Sequence, residues 1–125
     1  MFSIDSNKVI HMTRGDVGIL NITAKNNVGD LYNFVAGDII RFKVFKKGDC
    51  NTLFILKDTT VNENTTNILI TLDKDDTKIG NIINKPIDYW YEVELNPDTH
   101  PQTIIGYDSD GPKIFKLYPE GGGSI

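Results

Sequence analysis

Apolar and polar residues alternate with a period of two in four separate parts of this chain. Leu20, Ile22 and Ala24 face one way, and Asn21 and Thr23 the other. Ile40, Phe42 and Val44 alternate with Arg41 and Lys43. Ile68, Ile70 and Leu72 share a face, with Thr71 outward. Tyr89, Tyr91, Val93 and Leu95 share one face, while Trp90, Glu92 and Glu94 share the other. A period of two is the signature of a strand buried on one side only.

Shorter strands are predicted over 8–12, 31–35, 102–107 and 114–118, the last with Phe115 and Leu117 inward. The run Leu53-Phe54-Ile55-Leu56 is apolar throughout, so its inward face cannot be read from the pattern. In either register it leaves two apolar side chains facing away from the core.

Turn residues punctuate these segments at roughly ten-residue spacing, the rhythm of a sandwich or barrel. Arg14-Gly15-Asp16 and Ala36-Gly37-Asp38 each feed an alternating strand. Glycine supplies unusual backbone angles there, and aspartate bonds its own backbone. Polar turns or loops are expected over 25–30, 46–51, 62–66 and 96–101, and at Asp108-Ser109-Asp110-Gly111. The one helical turn expected lies over 73–80, where Asp73 caps and Gly80 ends it.

The fold class that follows is all-β: an antiparallel β-sandwich of about seven to nine strands. It occupies 1–118, with a Gly-rich flexible tail over 119–125. Its expected core holds Leu20, Ile22, Ile40, Phe42, Val44, Ile68, Ile70, Tyr91 and Val93.

A length of 125 residues suits one domain with a core of its own. The net charge of −4 gives no basic stripe for nucleic acid or an anionic membrane, so neither is expected as a partner. The single cysteine, Cys50, sits in a predicted turn and excludes an internal disulfide. No signal peptide and no membrane span are visible, so synthesis and folding are expected in a cytoplasm.

Candidate chemistry is sparse. Ser3, Ser6, Ser109 and Ser124 lie in termini or turns, outside any nucleophile elbow. His11 is expected in a strand and His100 in a loop, and the sequence nominates no partner for either as a base. Two histidines and Cys50, widely spaced, do not make a zinc site. Asp73-Lys74-Asp75-Asp76-Thr77 begins like a calcium loop, but Lys78 stands where the glycine belongs and Asn84 where the glutamate belongs. No catalytic residue, metal or cofactor is therefore expected.

Arg14-Gly15-Asp16 is the tripeptide integrins read, yet four Gly-Asp dipeptides make it one turn among several. Asn21-Ile22-Thr23 and Asn64-Thr65-Thr66 are formal glycosylation sequons that mean nothing without a secretory route. Phe54, Leu56 and Trp90 are the candidate interface residues, being apolar on a face the core does not use.

The order of these motifs resembles a known family. A Gly-Asp turn precedes one alternating strand, and a second Gly-Asp leads into Ile39-Ile40-Arg41-Phe42-Lys43-Val44. Asp76-Thr77 follows Ile68-Leu69-Ile70-Thr71-Leu72. Tyr89-Trp90-Tyr91-Glu92-Val93-Glu94-Leu95, Gln102-Thr103-Ile104-Ile105-Gly106-Tyr107 and Ile114-Phe115-Lys116-Leu117 complete it. Over residues 8–118 the chain resembles the N-terminal β-domain of bacteriophage baseplate upper proteins and small prophage tail proteins of Gram-positive bacteria.

The resemblance implies a non-enzymatic structural component of a phage or prophage tail. It would act by assembly with other tail or baseplate proteins and with its own copies, and reside in the virion tail. A carbohydrate- or cell-surface-binding module is the alternative, with Trp90 and Tyr107 as sugar platforms. A small enzyme or inhibitor ranks third.

Overall fold

A computed structural model describes residues 2–4, 8–25, 29–105 and 111–120. Nine strands appear there: β1 (Phe2–Ile4), β2 (Ile10–Thr13), β3 (Gly18–Ile22), β4 (Ile39–Lys46), β5 (Asp49–Thr60), β6 (Ile68–Leu72), β7 (Ile87–Leu95), β8 (Gln102–Ile105) and β9 (Lys113–Tyr118). One short helix, α1 (Lys74–Thr77), follows β6. Seven strands form one sheet in the order β1-β2-β9-β7-β4-β5, with β8 pairing β7 beyond the end of β9; β3 and β6 form a second sheet. The all-β, sandwich-like expectation therefore holds.

The alternating segments become the core as their period requires. Ile40, Phe42 and Val44 of β4 oppose Leu95, Val93 and Tyr91 of β7, and all six are buried. Leu20 and Ile22 of β3 oppose Ile70 and Ile68 of β6 across the second sheet. All nine expected core residues are buried. Phe42 packs at 5.6 Å between ring centroids from Tyr91 and 6.4 Å from Phe115. Each fully buried side chain of this size contributes about 1.5–3 kcal/mol relative to exposure.

One pairing departs from the antiparallel expectation. Strand β2 runs parallel to β9, with Ile10 beside Phe115 and Met12 beside Leu117. Alternation specifies which face is buried but not strand direction, and both directions put these four apolar side chains on the inner face.

Segment 31–35, expected as a strand, makes only two isolated bridges, Lys25 with Leu31 and Phe34 with Thr65. Phe34 is fully buried there, edge-on to Tyr32 at 5.1 Å. A single anchor thus replaces a ladder. Burial, and then the Asp38 carboxylate, push the Tyr32 phenol above its ordinary pKa.

The Gly37-Asp38 turn shows why that dipeptide recurs before a strand. Gly37 takes φ +98°, which only glycine adopts freely. Asp38 is buried and accepts from the Val35 amide at 2.9 Å and the Asn96 side chain at 3.1 Å. Asn96 in turn accepts from the Ile39 amide at 2.9 Å, locking the start of β4 to the end of β7.

The helix forms within the expected 73–80 and is capped by Asp73, but it is a single turn that ends at Lys78 rather than at Gly80. Asp73 Oδ1 accepts from the amides of Asp75 and Asp76, and Asp76 Oδ2 accepts from the Asp73 amide. This reciprocal cap occupies Asp73, the first oxygen of the calcium-like spacing, together with Asp76. Lys57 bridges to Asp76 at 2.9 Å and so ties β5 to the helix.

Strand β1 had no signal in the pattern; it packs Phe2 against Gly18, where any Cβ would lie 2.6 Å from the ring. Cys50, expected in a turn, lies exposed near the start of β5. The expected connection at 108–110, the end of the predicted strand at 106–107 and the tail at 121–125 fall outside the described residues. Pro119 and Glu120 are half-buried, and Glu120 pairs with Arg14.

Candidate functional site

Two places in the molecule offer something to a partner. The first is the outward face and outer edge of the large sheet. Partners across strands share a face, so its rows follow from the register. Arg41 pairs with Asp58 through two bonds of 2.8 and 2.9 Å, and reaches Asp98 at 3.3 Å. Lys43 bridges Glu92 at 3.0 Å and Glu94 at 2.6 Å, and Lys116 faces Asp88 at 3.7 Å.

These contacts shift the charged groups in the directions expected. The hydrogen bond from Arg41 is the main cause that holds Asp58 below its ordinary 3.8. Burial pulls Lys43 down, but the bonds to Glu94 and Glu92 outweigh it and leave the amine raised.

An apolar row runs beside this charged area. Leu53 stands opposite Phe45, Phe45 opposite Trp90, and Trp90 opposite Ile114. Phe45 is 1% exposed although it lies on the outward face. Trp90 stands edge-on against it, with centroids 6.4 Å apart, and is half-buried.

The three sequence-predicted interface residues are not one cluster. The register of β5 shifts at Phe54, which is an extra residue against β4. A bulge of this kind sets two residues against one and breaks the alternation. Leu53 and Leu56 consequently belong to the outward face with Trp90, while Phe54 turns to Tyr89 at 5.0 Å. Leu53, Phe54 and Leu56 are 46%, 40% and 49% exposed, and Ile55 is buried. Sequence reasoning missed Leu53, Phe45 and Ile114. Phe45 directly follows the alternating Val44, a break in period that pointed to it.

Strand β5 also ends the sheet. Among the described residues nothing pairs its outer edge over the twelve residues Asp49–Thr60. Its only lysine, Lys57, is drawn to Asp76 rather than left along the edge. It lacks proline as well, and the bulge at Phe54 is the guard of an exposed edge that it keeps.

The second place is a cavity of about 370 Å³ between the sheets. The narrow β3–β6 layer does not cover the whole inner face of the large sheet, and the gap opens beside β3. Tyr91 forms part of the lining and donates from its hydroxyl to the Lys8 carbonyl at 2.5 Å. Lys8 and Lys25 reach the lining from exposed positions. Among the described residues, no histidine, cysteine, aspartate or glutamate lines it.

The remaining candidates separate. His11 Nδ1 lies 2.7 Å from the Tyr118 hydroxyl on β2 and β9. Cys50 is on β5, separated from β2 by the three strands β9, β7 and β4, and His100 is exposed in the turn after β7. Among the described residues no group of three or more His, Cys, Asp or Glu is placed to hold a metal ion. No helix among them is long and apolar enough to cross a membrane.

Arg14-Gly15-Asp16 is turned inward. Arg14 is 9% exposed; it donates to the carbonyls of Ile79 at 3.1 Å and Gly80 at 2.7 Å and pairs with Glu120. The Gly15 amide donates to Thr77 Oγ1 at 3.0 Å, and that hydroxyl donates to the Asp16 carbonyl at 2.8 Å. The tripeptide is a bracket joining the end of β2, the helix and the C-terminal segment, and its arginine is not presented to a receptor. Set against protein-family models, curated proteins and solved structures, the chain matches none.

Proposed function

We propose that this chain is a non-catalytic assembly module, a structural component of a phage or prophage tail or baseplate. It joins another subunit, its own copy or a neighbouring tail protein, along β5. The observation that carries the reading is the free twelve-residue edge bearing Leu53, Phe54 and Leu56 at 40–49% exposure. Unpaired amides and carbonyls along such an edge template an added strand, and the flanking apolar side chains supply buried area. Half-buried Trp90 and Ile114 continue that surface onto the sheet face. The tail or baseplate assignment rests on the motif order over 8–118.

The sugar-binding alternative is less well supported. Trp90 stands against Phe45 instead of lying open as a platform, and Tyr107 is outside the described residues.

The test is light scattering at micromolar concentration, with pull-downs against the products of neighbouring genes. The wild-type chain is expected to self-associate or capture one of those proteins over an interface above ~1,000 Å². Leu53→Lys with Leu56→Lys restores a guarded edge and is expected to abolish that association while the fold stays intact. A monomer that captures none of those products, or an association indifferent to the double variant, overturns the reading.

A further inference from the structure

The cavity between the sheets has a chemistry separate from the β5 edge. Its walls are the aliphatic side chains of Ile10, Leu20, Ile22, Ala24, Ile104 and Ile105. Ile104 and Ile105 are half-buried, so apolar surface there is only partly covered by the protein itself. Asn21 and Thr23 add neutral polar groups along β3. Lys8 and Lys25 bring two positive charges, and neither pairs with a carboxylate among the described residues. Both are exposed, which places the charge at the mouth and the aliphatic surface within. About 370 Å³ lies near the small end of pockets that hold small ligands, roughly 300–1,000 Å³.

We propose that this cavity binds a medium-chain anionic amphiphile, a fatty carboxylate, with its chain between the sheets and its head group at Lys8 and Lys25. An apolar interior accepts the methylene chain by removing it from water. Two cations, with no carboxylate among the described lining residues, select a negative head over a positive one. The volume admits a single chain, which favours a free fatty anion over a two-chain lipid.

The test is an amide chemical-shift titration with sodium decanoate below its micellar concentration, run beside decyltrimethylammonium bromide, which has the same chain and the opposite charge. Saturable shifts are expected on β3 and β8. Decanoate is expected to bind about tenfold more tightly, the effect of two exposed ion pairs, and to lose that advantage in high salt. Lys8→Glu with Lys25→Glu is expected to reverse the preference, and these exposed positions leave the fold intact. Ala24→Phe, which fills the cavity, is expected to remove binding of both probes. If that variant does not fold, the lysine pair still decides. No saturable shift up to millimolar decanoate overturns the proposal. So do equal affinity for the two probes, or shifts centred on β5.

Discussion

Replacing Arg14 with methionine keeps most of the aliphatic stem and removes the guanidinium. That group makes three contacts, to the Ile79 and Gly80 carbonyls and to Glu120. A hydrogen bond involving a charged group contributes about 1.5–3 kcal/mol, so three set an upper bound of roughly 5–9 kcal/mol. Arg14 and Glu120 side chains are 10% and 18% exposed, so water reaches the vacated acceptors in part. The expected loss is therefore about 3–4 kcal/mol, in the range for removing one partner of a largely buried pair. Against a total stability of about 5–15 kcal/mol, this is a large fraction.

At this length each kcal/mol corresponds to about 3–5 °C in melting temperature, so a fall of about 10–15 °C is expected. Urea unfolding followed by tryptophan fluorescence measures it, with a lowered midpoint and an unchanged slope. Glu120→Gln keeps an acceptor oxygen and is expected to cost about 1 kcal/mol. In the double variant the two losses are expected to be less than additive, because both act on one contact. A loss below about 1 kcal/mol for Arg14→Met would falsify the bracket and return the tripeptide to an ordinary surface turn.

Three further outcomes follow from the packing and the charges. Phe42→Ala is expected to cost about 3–5 kcal/mol in urea melts, since Phe42 is fully buried against Tyr91 and Phe115; a loss under about 1 kcal/mol contradicts its place in the core. Gly18→Ala drives a methyl into the Phe2 ring and the Met12 methyl, so a loss of about 1–3 kcal/mol and faster exchange of the β1 amides are expected; unchanged exchange refutes the contact. Asp58 is held below 3.8, so its contribution is present above the unfolded value, about 3.9, and is lost as pH falls through the folded value. Asp58→Asn is accordingly expected to show a deficit under about 1 kcal/mol at neutral pH that closes in acid; a carboxyl titration midpoint at or above the ordinary value contradicts this.

The strands with long alternation were legible because each carries its own evidence of which side is buried. Strands β4, β6 and β7 needed no knowledge of their neighbours. What stayed hidden was set by partners distant in the chain. The bulge at Phe54 exists only relative to β4, so the pattern could not divide Leu53 and Leu56 from Phe54. The parallel run of β2 beside β9 depends on strand order, which alternation does not encode. Three residues of β1 are too few to show any period. Arg14 looked like turn punctuation because its acceptors lie more than sixty residues away. The cavity had no signal either, since it arises from a mismatch in width between two sheets.

The position of β9 bears on the order in which this protein can be completed during synthesis. It is the last strand among the described residues, yet it lies inside the sheet between β2, the second of them, and β7. Strands β1 and β2 leave the ribosome early but have no permanent place until residues 113–118 follow. Until then Ile10 and Met12 remain without the neighbours that bury them. Pairings this distant close late and slowly. A ribosome stalled before β9 emerges is therefore expected to hold an N-terminal segment that proteases can reach, beside a β4–β5 hairpin already formed from adjacent residues.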